Sequence, residues 1–320
     1  RLKYKCNISS MFINQAFQKE TNFGSKLLNF LKYIAGSLLI VLAAFFGQIP
    51  MSIAVLFSGK IPTTNEELYM LFDSNVFLFF ALLTFVFAFV GLYFVVVKVH
   101  HQRFITIITS RDKIDWKRIF VSFGIWTFIS LLLFIISYMT DSSELIFQFK
   151  LVPFLILFCI TLIFMPIQTS TEELVFRGYL MQGFYNLAQN KWFPLVMTSV
   201  IFGTMHIFNP EIEKMGYVLL VYYIGTGLFL GIITLMDEGT ELALGFHAAN
   251  NMIASLLLTS DYTVFQTHSI FKDVSEPSID FEVFFPVLVL FPILVYFFSK
   301  IYKWNNWKDK LIGSKNVSSL

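Results

Sequence analysis

Ionisable and amide side chains lie at three places inside otherwise apolar sequence, and their chemical types could support catalysis. The set holds two carboxylates, a guanidinium, two imidazoles and an amide: Glu172, Glu173, Arg177, His206, His247 and Asn251. Ionisable groups at membrane depth are costly, so each of them is a functional hypothesis. A carboxylate or an imidazole can take a proton from water, and N–H donors can stabilise an oxyanion. These residue types could therefore catalyse hydrolysis.

The spacing within the first group predicts which side chains face one another on a helix. Glu173 and Arg177 are four positions apart and can form an ion pair. Glu172 points about 100° further around the helix, on the face of Phe176. Glu172 is therefore expected to be free for other interactions.

Each group also has a simpler structural explanation when it is taken alone. Arg177 and the glutamates could be a charge cluster at the end of a span, and His206 could bond only to a neighbouring helix. Asn251, one turn after His247, could hold two helices together. Taken separately, however, these groups would leave several polar atoms unpaired on three hydrophobic segments. They are therefore expected to face one another in a wet cavity.

The composition places these residues in a membrane protein. Of 320 residues, 56% are hydrophobic and 14% are charged, whereas soluble domains are about 25% charged. A helix needs about 20 apolar residues to cross a bilayer. Eight charge-free runs approach or exceed that length: residues 33–59, 74–97, 119–140, 151–171, 192–210, 215–236, 242–260 and 283–299. The expected fold is an all-α polytopic bundle of about eight transmembrane helices. The first run is too long for a signal peptide and lacks a small-residue cleavage site.

Basic residues predict the orientation of the bundle, because Lys and Arg are retained on the cytoplasmic side. They concentrate before the first run, in the 98–118 loop and after residue 299. Both termini are therefore expected in the cytoplasm. The acidic segment 237–241, which carries no Lys or Arg, is an exception to this pattern.

No soluble domain or internal repeat is evident in the sequence. The expected regions are a cytoplasmic N-terminal segment (1–32), three transmembrane helices with their loops (33–150), a catalytic core (151–260), and an outer loop, last helix and basic cytoplasmic tail (261–320). The sequence begins with Arg1, and Met11 is a candidate translation start. Gly227 and Gly231 form a GxxxG pair that predicts a close helix contact.

Several classes of function are excluded. The low charged fraction and the net charge of +2 exclude a nucleic-acid binder that works through a basic surface. Cys6 and Cys159 are far apart and fit no metal or redox spacing, so Cys159 is interpreted as a small hydrophobe. No Gly-x-Ser-x-Gly motif and no Ser/His/Asp set on matching segments is present, which disfavours covalent catalysis.

The order of the three groups resembles a known family. Glu-Glu-x-x-x-Arg, then Phe-x-x-x-His from Phe202, then His-x-x-x-Asn follow one another between about residues 150 and 260. This pattern is similar to that of the CPBP family, the CAAX proteases and bacteriocin-processing enzymes. The family is also called Abi and includes the type II CAAX prenyl endopeptidases. The resemblance implies an integral-membrane, glutamate-dependent endopeptidase with an eight-helix core, in which Glu173 and Arg177 shape the active site.

The resemblance also implies roles for the remaining residues. Glu172 and His206 would activate the attacking water, while His247 and Asn251 would stabilise the oxyanion. The residues leave the use of a metal open, because Glu172, His206 and His247 could bind a catalytic zinc ion. A zinc-bound Glu172 could not be the free base, and the His-Glu-x-x-His helix of common zinc proteases is absent. A metal-free mechanism is therefore favoured, with zinc as the alternative.

The depth of Glu172 is a difficulty for straight spans. If the fourth helix ended at Thr171, Glu172 would lie at the cytoplasmic boundary. His206 lies 14 residues beyond Trp192, which is about 21 Å along a helix. The fourth helix is therefore expected to continue through the apolar stretch 178–187, which would bring Glu172 well within the membrane.

Two other functions remain open from the sequence. A proton- or ion-coupled transporter would also place carboxylates and His at mid-membrane, although no inverted repeat is evident. A non-catalytic membrane scaffold is the other alternative. A protease would have the lipid bilayer and a peptide or membrane-protein substrate as partners. Lys outnumbers Arg 18 to 5, which favours a bacterial cytoplasmic membrane and a role in peptide maturation or bacteriocin self-immunity over prenylated substrates.

Overall fold

The computed structural model describes residues 11–15, 23–279 and 281–314. Cys6 and the segment before Met11 lie outside these residues. Within them the chain forms a bundle of α-helices. In chain order they are α1 (Phe23–Phe57), α2 (Asn65–Leu71), α3 (Ser74–Val99), α4 (Trp116–Thr140), α5 (Leu151–Ala188), α6 (Trp192–Thr204), α7 (Pro210–Met215), α8 (Tyr217–Asp237), α9 (Glu241–Leu257), α10 (Val283–Ile301) and α11 (Trp307–Leu311).

Six of these helices are long and apolar enough to cross a membrane: α1, α3, α4, α5, α8 and α10. The all-α polytopic fold is thus confirmed. The fifth predicted run contains only the 13-residue helix α6, which covers about 20 Å and falls short of a hydrocarbon core of about 30 Å. The seventh run contains α9, which has 17 residues. Helix α1 begins at Phe23, ten residues before the predicted start of the first run.

Helix α5 continues far beyond the end of its charge-free run. It extends over 38 residues, to Ala188, so it does not end with the charge-free run at Thr171, and the expected continuation through 178–187 is confirmed. The helix contains Pro166 and a π-helical turn over Leu174–Leu180. Single π-turns inside α-helices are frequent at functional sites. The charged residues did not end the helix because their partners lie inside the protein.

The acidic segment between α8 and α9 lies at the same end of the bundle as the basic 98–118 loop. Asp237 pairs with Arg111 at 3.0 Å and with Arg118 at 2.8 Å, and Glu241 pairs with Arg111 at 3.1 Å. The backbone N–H of Phe12 donates to Glu238 at this end. The exception in the charge pattern is explained, because the basic partners of the acidic segment come from another loop.

The opposite end carries a small three-stranded sheet that the sequence did not predict. Its strands are β1 (Leu145–Phe147), β2 (Leu258–Ser260) and β3 (Phe271–Asp273). Strand β3 lies in the centre, antiparallel to β1 and parallel to β2. The segment 261–279 is therefore partly ordered against the ends of α4 and α9.

Close backbone approaches fix the helices that hold the site. An added Cβ on Gly227 of α8 would lie 2.9 Å from Cα of Ser199 in α6, so the contact predicted by the GxxxG pair is present. Gly245 of α9 packs directly on the backbone of Ile119 in α4. Small residues at these crossings let the backbones approach, as is usual in membrane bundles. Helix α8 is thereby packed closely on α6, and α9 on α4.

Candidate active site

The motif residues of α5 lie near the middle of the bundle. Thr171 donates its hydroxyl to the carbonyl of Phe85 in α3, at 3.2 Å. Phe85 is 11 residues into the 26-residue α3, about 17 Å from its start. Glu172 follows Thr171 directly and therefore lies at mid-depth.

His206 lies at the same height as Glu172. The carboxylate is 16 residues before the end of α5 at Ala188, about 24 Å along the helix. The imidazole lies two residues past the end of α6, a helix that extends about 20 Å from Trp192. Because only three residues connect α5 and α6, both distances are measured from the same end of the bundle.

Glu173 and Arg177 form a fully buried ion pair. Nη1 of Arg177 lies 3.0 Å from Oε1 of Glu173, and both side chains are 0% exposed, as their spacing predicts. Arg177 also donates through Nη2 to the carbonyl of Gly227 in α8, at 3.3 Å. Its guanidinium carbon lies 4.2 Å from the centre of the Phe202 ring in α6. Arg177 thus ties α5 to both α6 and α8.

His247 of α9 lies between the two glutamates. Its Nδ1 donates to Oε1 of Glu173 at 2.8 Å, because a carboxylate in an ion pair can only accept. Its Nε2 lies 3.6 Å from Oε2 of Glu172. That separation is too long for a direct hydrogen bond. One water molecule could form hydrogen bonds with both atoms.

Glu172 is the accessible member of the cluster. Its side chain is 19% exposed, whereas Glu173 and Arg177 are fully buried. Oε1 accepts a 2.6 Å hydrogen bond from Nε2 of Gln168, one turn earlier in α5. Oε2 accepts no hydrogen bond from the described part of the chain and faces His247. The expectation that Glu172 would be free holds for Oε2. It does not hold for Oε1, which Gln168 binds.

Asn251 reaches Glu172 only through Gln168. The Asn251 amide Nδ2 donates to Oε1 of Gln168 at 3.0 Å. Gln168 is 3% exposed and was missed in the sequence because a count of charges does not register a neutral amide. Its position four residues before Glu172, inside an apolar run, is the signal that could have identified it.

His206 lies at the edge of the cluster, next to Phe202. Nδ1 of His206 donates to the carbonyl of Phe202 at 2.8 Å. In a continuing helix, the backbone N–H of His206 would donate to this carbonyl. That N–H donates instead to the carbonyl of Gly203. The Phe-x-x-x-His spacing therefore lets His206 cap the helix that carries it.

Two aromatic rings hold His206 in place. Its ring stacks on Tyr223 of α8 at a centroid distance of 4.1 Å and an angle of 18°. The Phe202 ring lies 4.9 Å from His206 and 6.1 Å from His247. With Nδ1 bound to a carbonyl, Nε2 is the nitrogen of His206 left for another partner. No direct hydrogen bond joins His206 to Glu172 within the described ranges, and Tyr223 had no signal in the sequence.

The candidate metal ligands are not arranged as a ligand set. Across residues 11–15, 23–279 and 281–314, no three His, Cys, Asp or Glu side chains are grouped closely enough to hold a metal ion. Glu172, His206 and His247 therefore do not form the three-ligand site that a catalytic zinc ion would need.

The other His and Cys residues that the structure describes are outside the cluster. His100 packs its ring against Tyr33 and Tyr179, and His268 pairs with Asp73 at the end of the bundle that carries the sheet. Cys159 is exposed on α5, within a stretch whose other exposed side chains are apolar.

Comparisons with known proteins agree with the motifs. Residues 148–253 match the family described as type II CAAX prenyl endopeptidase Rce1-like. The chain is also 29% identical over 262 residues to the uncharacterized protein YyaK of Bacillus subtilis (strain 168), covering 81% of this chain and 88% of that protein. A search of solved structures gives no match.

The matched segment holds all six candidate residues, from α5 through α6 to α9. The match supports, in general terms, an integral multi-pass membrane protein of the CAAX-protease-like endopeptidase kind. The part of the chain that carries the site is therefore similar to the Rce1-like family of type II CAAX prenyl endopeptidases.

Proposed function

We propose that this protein is an intramembrane endopeptidase in which Glu172 activates the water that attacks a peptide bond. The observation that carries the proposal is the asymmetry of the Glu172 carboxylate. Oε1 is held by Gln168 at 2.6 Å, while Oε2 has no hydrogen-bond donor in the described chain and faces Nε2 of His247 at 3.6 Å. One oxygen is anchored, and the other is available to take a proton.

The neighbours of Glu172 support distinct tasks in this proposal. His247, oriented by Glu173 through Nδ1, presents Nε2 toward the reacting water, and Nε2 would donate to the developing oxyanion once that nitrogen is protonated. His206 presents Nε2 from the end of α6 and would share the proton transfer with Glu172. Arg177 compensates the charge of Glu173, so that Glu172 carries the charge available for chemistry. No step is routed through a metal, since the candidate ligands are not grouped as a site.

We propose peptides or membrane-associated proteins as substrates. Mid-membrane depth suits a scissile bond close to a lipid anchor or a transmembrane segment. The Lys-rich composition and the bacterial relative support a bacterial cytoplasmic membrane. Maturation of a secreted peptide or self-immunity to a bacteriocin fits that setting better than cleavage of prenylated proteins.

The test compares the membrane peptidomes of cells that carry the intact protein, Glu172→Gln or Glu213→Gln. Glu172→Gln keeps the size of the side chain but cannot take the proton, so cleavage products should disappear while the protein still inserts. Glu213 is exposed on α7 and provides the matched control, which should leave the products unchanged. Unchanged products with Glu172→Gln would refute the proposal. Proton flux in liposomes without any proteolysis would favour a transporter instead.

A further inference from the structure

A chain of amides, of which Gln168 is buried and Asn250 and Asn251 are partly buried, leads from helix α4 to the Glu172 carboxylate. Nε1 of Trp126 donates to Oδ1 of Asn250 at 3.1 Å, and Nδ2 of Asn250 donates to Oδ1 of Asn251 at 3.1 Å. Asn251 then donates to Gln168 at 3.0 Å, and Gln168 donates to Oε1 of Glu172 at 2.6 Å. The four hydrogen bonds cross from α4 through α9 to α5.

The chemistry of the two ends fixes the direction of every bond between them. The Trp126 indole can only donate, and an ionised Glu172 carboxylate can only accept. Each amide between them must therefore accept on its oxygen and donate from its nitrogen. Gln168 has no freedom to turn its oxygen toward Glu172 without breaking its bond to Asn251.

The burial of Trp126 and Gln168 makes the loss of these hydrogen bonds costly. Trp126 is 5% and Gln168 is 3% exposed, and the Trp126 ring packs 4.4 Å from the ring of Phe246. Buried hydrogen bonds in series polarise one another, and an unpaired member would lose its full desolvation cost. The chain is thus a rigid support that ends on the accessible carboxylate of the cluster.

We propose that Gln168 is a positioning residue for Glu172, and that Trp126, Asn250 and Asn251 act through it by holding its amide in the donating orientation. The inference rests on the proposed function for its catalytic consequence. Gln168 fixes the carboxylate through Oε1 and stabilises its charged form, so that Oε2 remains directed at the reacting water. Asn251 serves the site through Gln168, in addition to any contact that it makes with substrate.

The experiment uses the full chain in detergent micelles with Gln168→Met, which keeps the length of the side chain and removes the amide. The first readout is the rate at which a hydrophobic carbodiimide labels Glu172, measured by mass spectrometry. Such reagents attack protonated carboxyl groups. Loss of a hydrogen bond to the charged form should raise the labelling rate at least about ten-fold. This readout does not depend on any peptidase activity.

The second readout is cleavage of internally quenched fluorogenic peptides across a range of pH. Gln168→Met should lower kcat about ten-fold or more with little change in KM, and the acidic limb of the pH profile should move to higher pH. Trp126→Phe keeps the aromatic packing but removes the first donor of the chain. It should change the labelling rate and kcat in the same directions, each by about two- to three-fold.

Gln182→Met is the matched control. Gln182 is also buried on α5 and donates to the carbonyls of Thr106 and Phe12, so its loss should leave the labelling of Glu172 and the pH profile unmoved. A Gln168→Met protein with unaltered labelling would overturn the positioning role. Peptidase activity that survives Glu172→Gln would overturn the proposed function instead, and the labelling rates would still decide the inference about Gln168.

Discussion

The buried ion pair of Glu173 and Arg177 allows a quantitative prediction about stability. Arg177→Met keeps most of the side-chain length but removes the charge opposite a carboxylate that is 0% exposed. Leaving one partner of a buried pair uncompensated costs about 3–5 kcal/mol. The lost contact with the Phe202 ring, 4.2 Å away, adds about 1–2 kcal/mol.

The expected total is a loss of about 5 kcal/mol of unfolding free energy. Since about 1 kcal/mol shifts the midpoint of a chain of this size by about 1.5 °C, the thermal midpoint in detergent should fall by about 7–8 °C. Circular dichroism of the helical signal measures this midpoint. Arg103→Met, at an exposed position, is the control and should change the unfolding free energy by about 1 kcal/mol at most.

The double variant Glu173→Gln/Arg177→Met tests whether the cost comes from the pair itself. Removing both charges leaves neither member of this pair as an uncompensated buried ion. The double variant should therefore lose clearly less stability than the sum of the single variants. Additive losses, or an Arg177→Met midpoint within about 2 °C of the intact protein, would refute the reasoning.

Two further predictions concern packing and pH. Gly227→Ala should lower the thermal midpoint by several degrees, because the new Cβ would lie 2.9 Å from Cα of Ser199, whereas Gly124→Ala, with nothing within 4 Å, should not lower it. Burial and the charge of Lys32 lower the pKa of His100 from its ordinary 6.5 to about 4. The unfolded chain therefore binds a proton between these values while the folded protein does not, so stability should fall as the pH drops from about 6.5 to about 4. The midpoint of His100→Phe should depend less on pH across this range, and an equal dependence in both proteins would contradict the assignment.

The six candidate residues could be identified from the sequence because charged and imidazole groups are conspicuous in apolar runs, and because Asn251 lies one turn after His247. The pairing of Glu173 with Arg177 followed from helical spacing alone. The continuation of α5 followed from the need to bring Glu172 to the height of His206. The first inference uses only residues one helical turn apart. The second uses residue counts, which the constant rise of a helix converts into distances.

Gln168 and Tyr223 could not be identified in the same way. Gln168 meets Asn251 across 83 positions of sequence, and Tyr223 meets His206 only because α6 and α8 approach closely at Gly227. Such contacts depend on how two helices are turned and shifted relative to each other. One sequence does not specify that register, because many arrangements bury similar apolar area.

The sequence by itself determined a membrane bundle and the residue types available for hydrolysis. It also determined the helical spacing that pairs Glu173 with Arg177. Only the tertiary structure decided that α6 stops at mid-depth with His206 as its cap, and that one oxygen of Glu172 is anchored while the other is open. The reason is that other helices orient the side chains involved: Asn251 of α9 holds the Gln168 amide, and the Tyr223 ring of α8 stacks on His206.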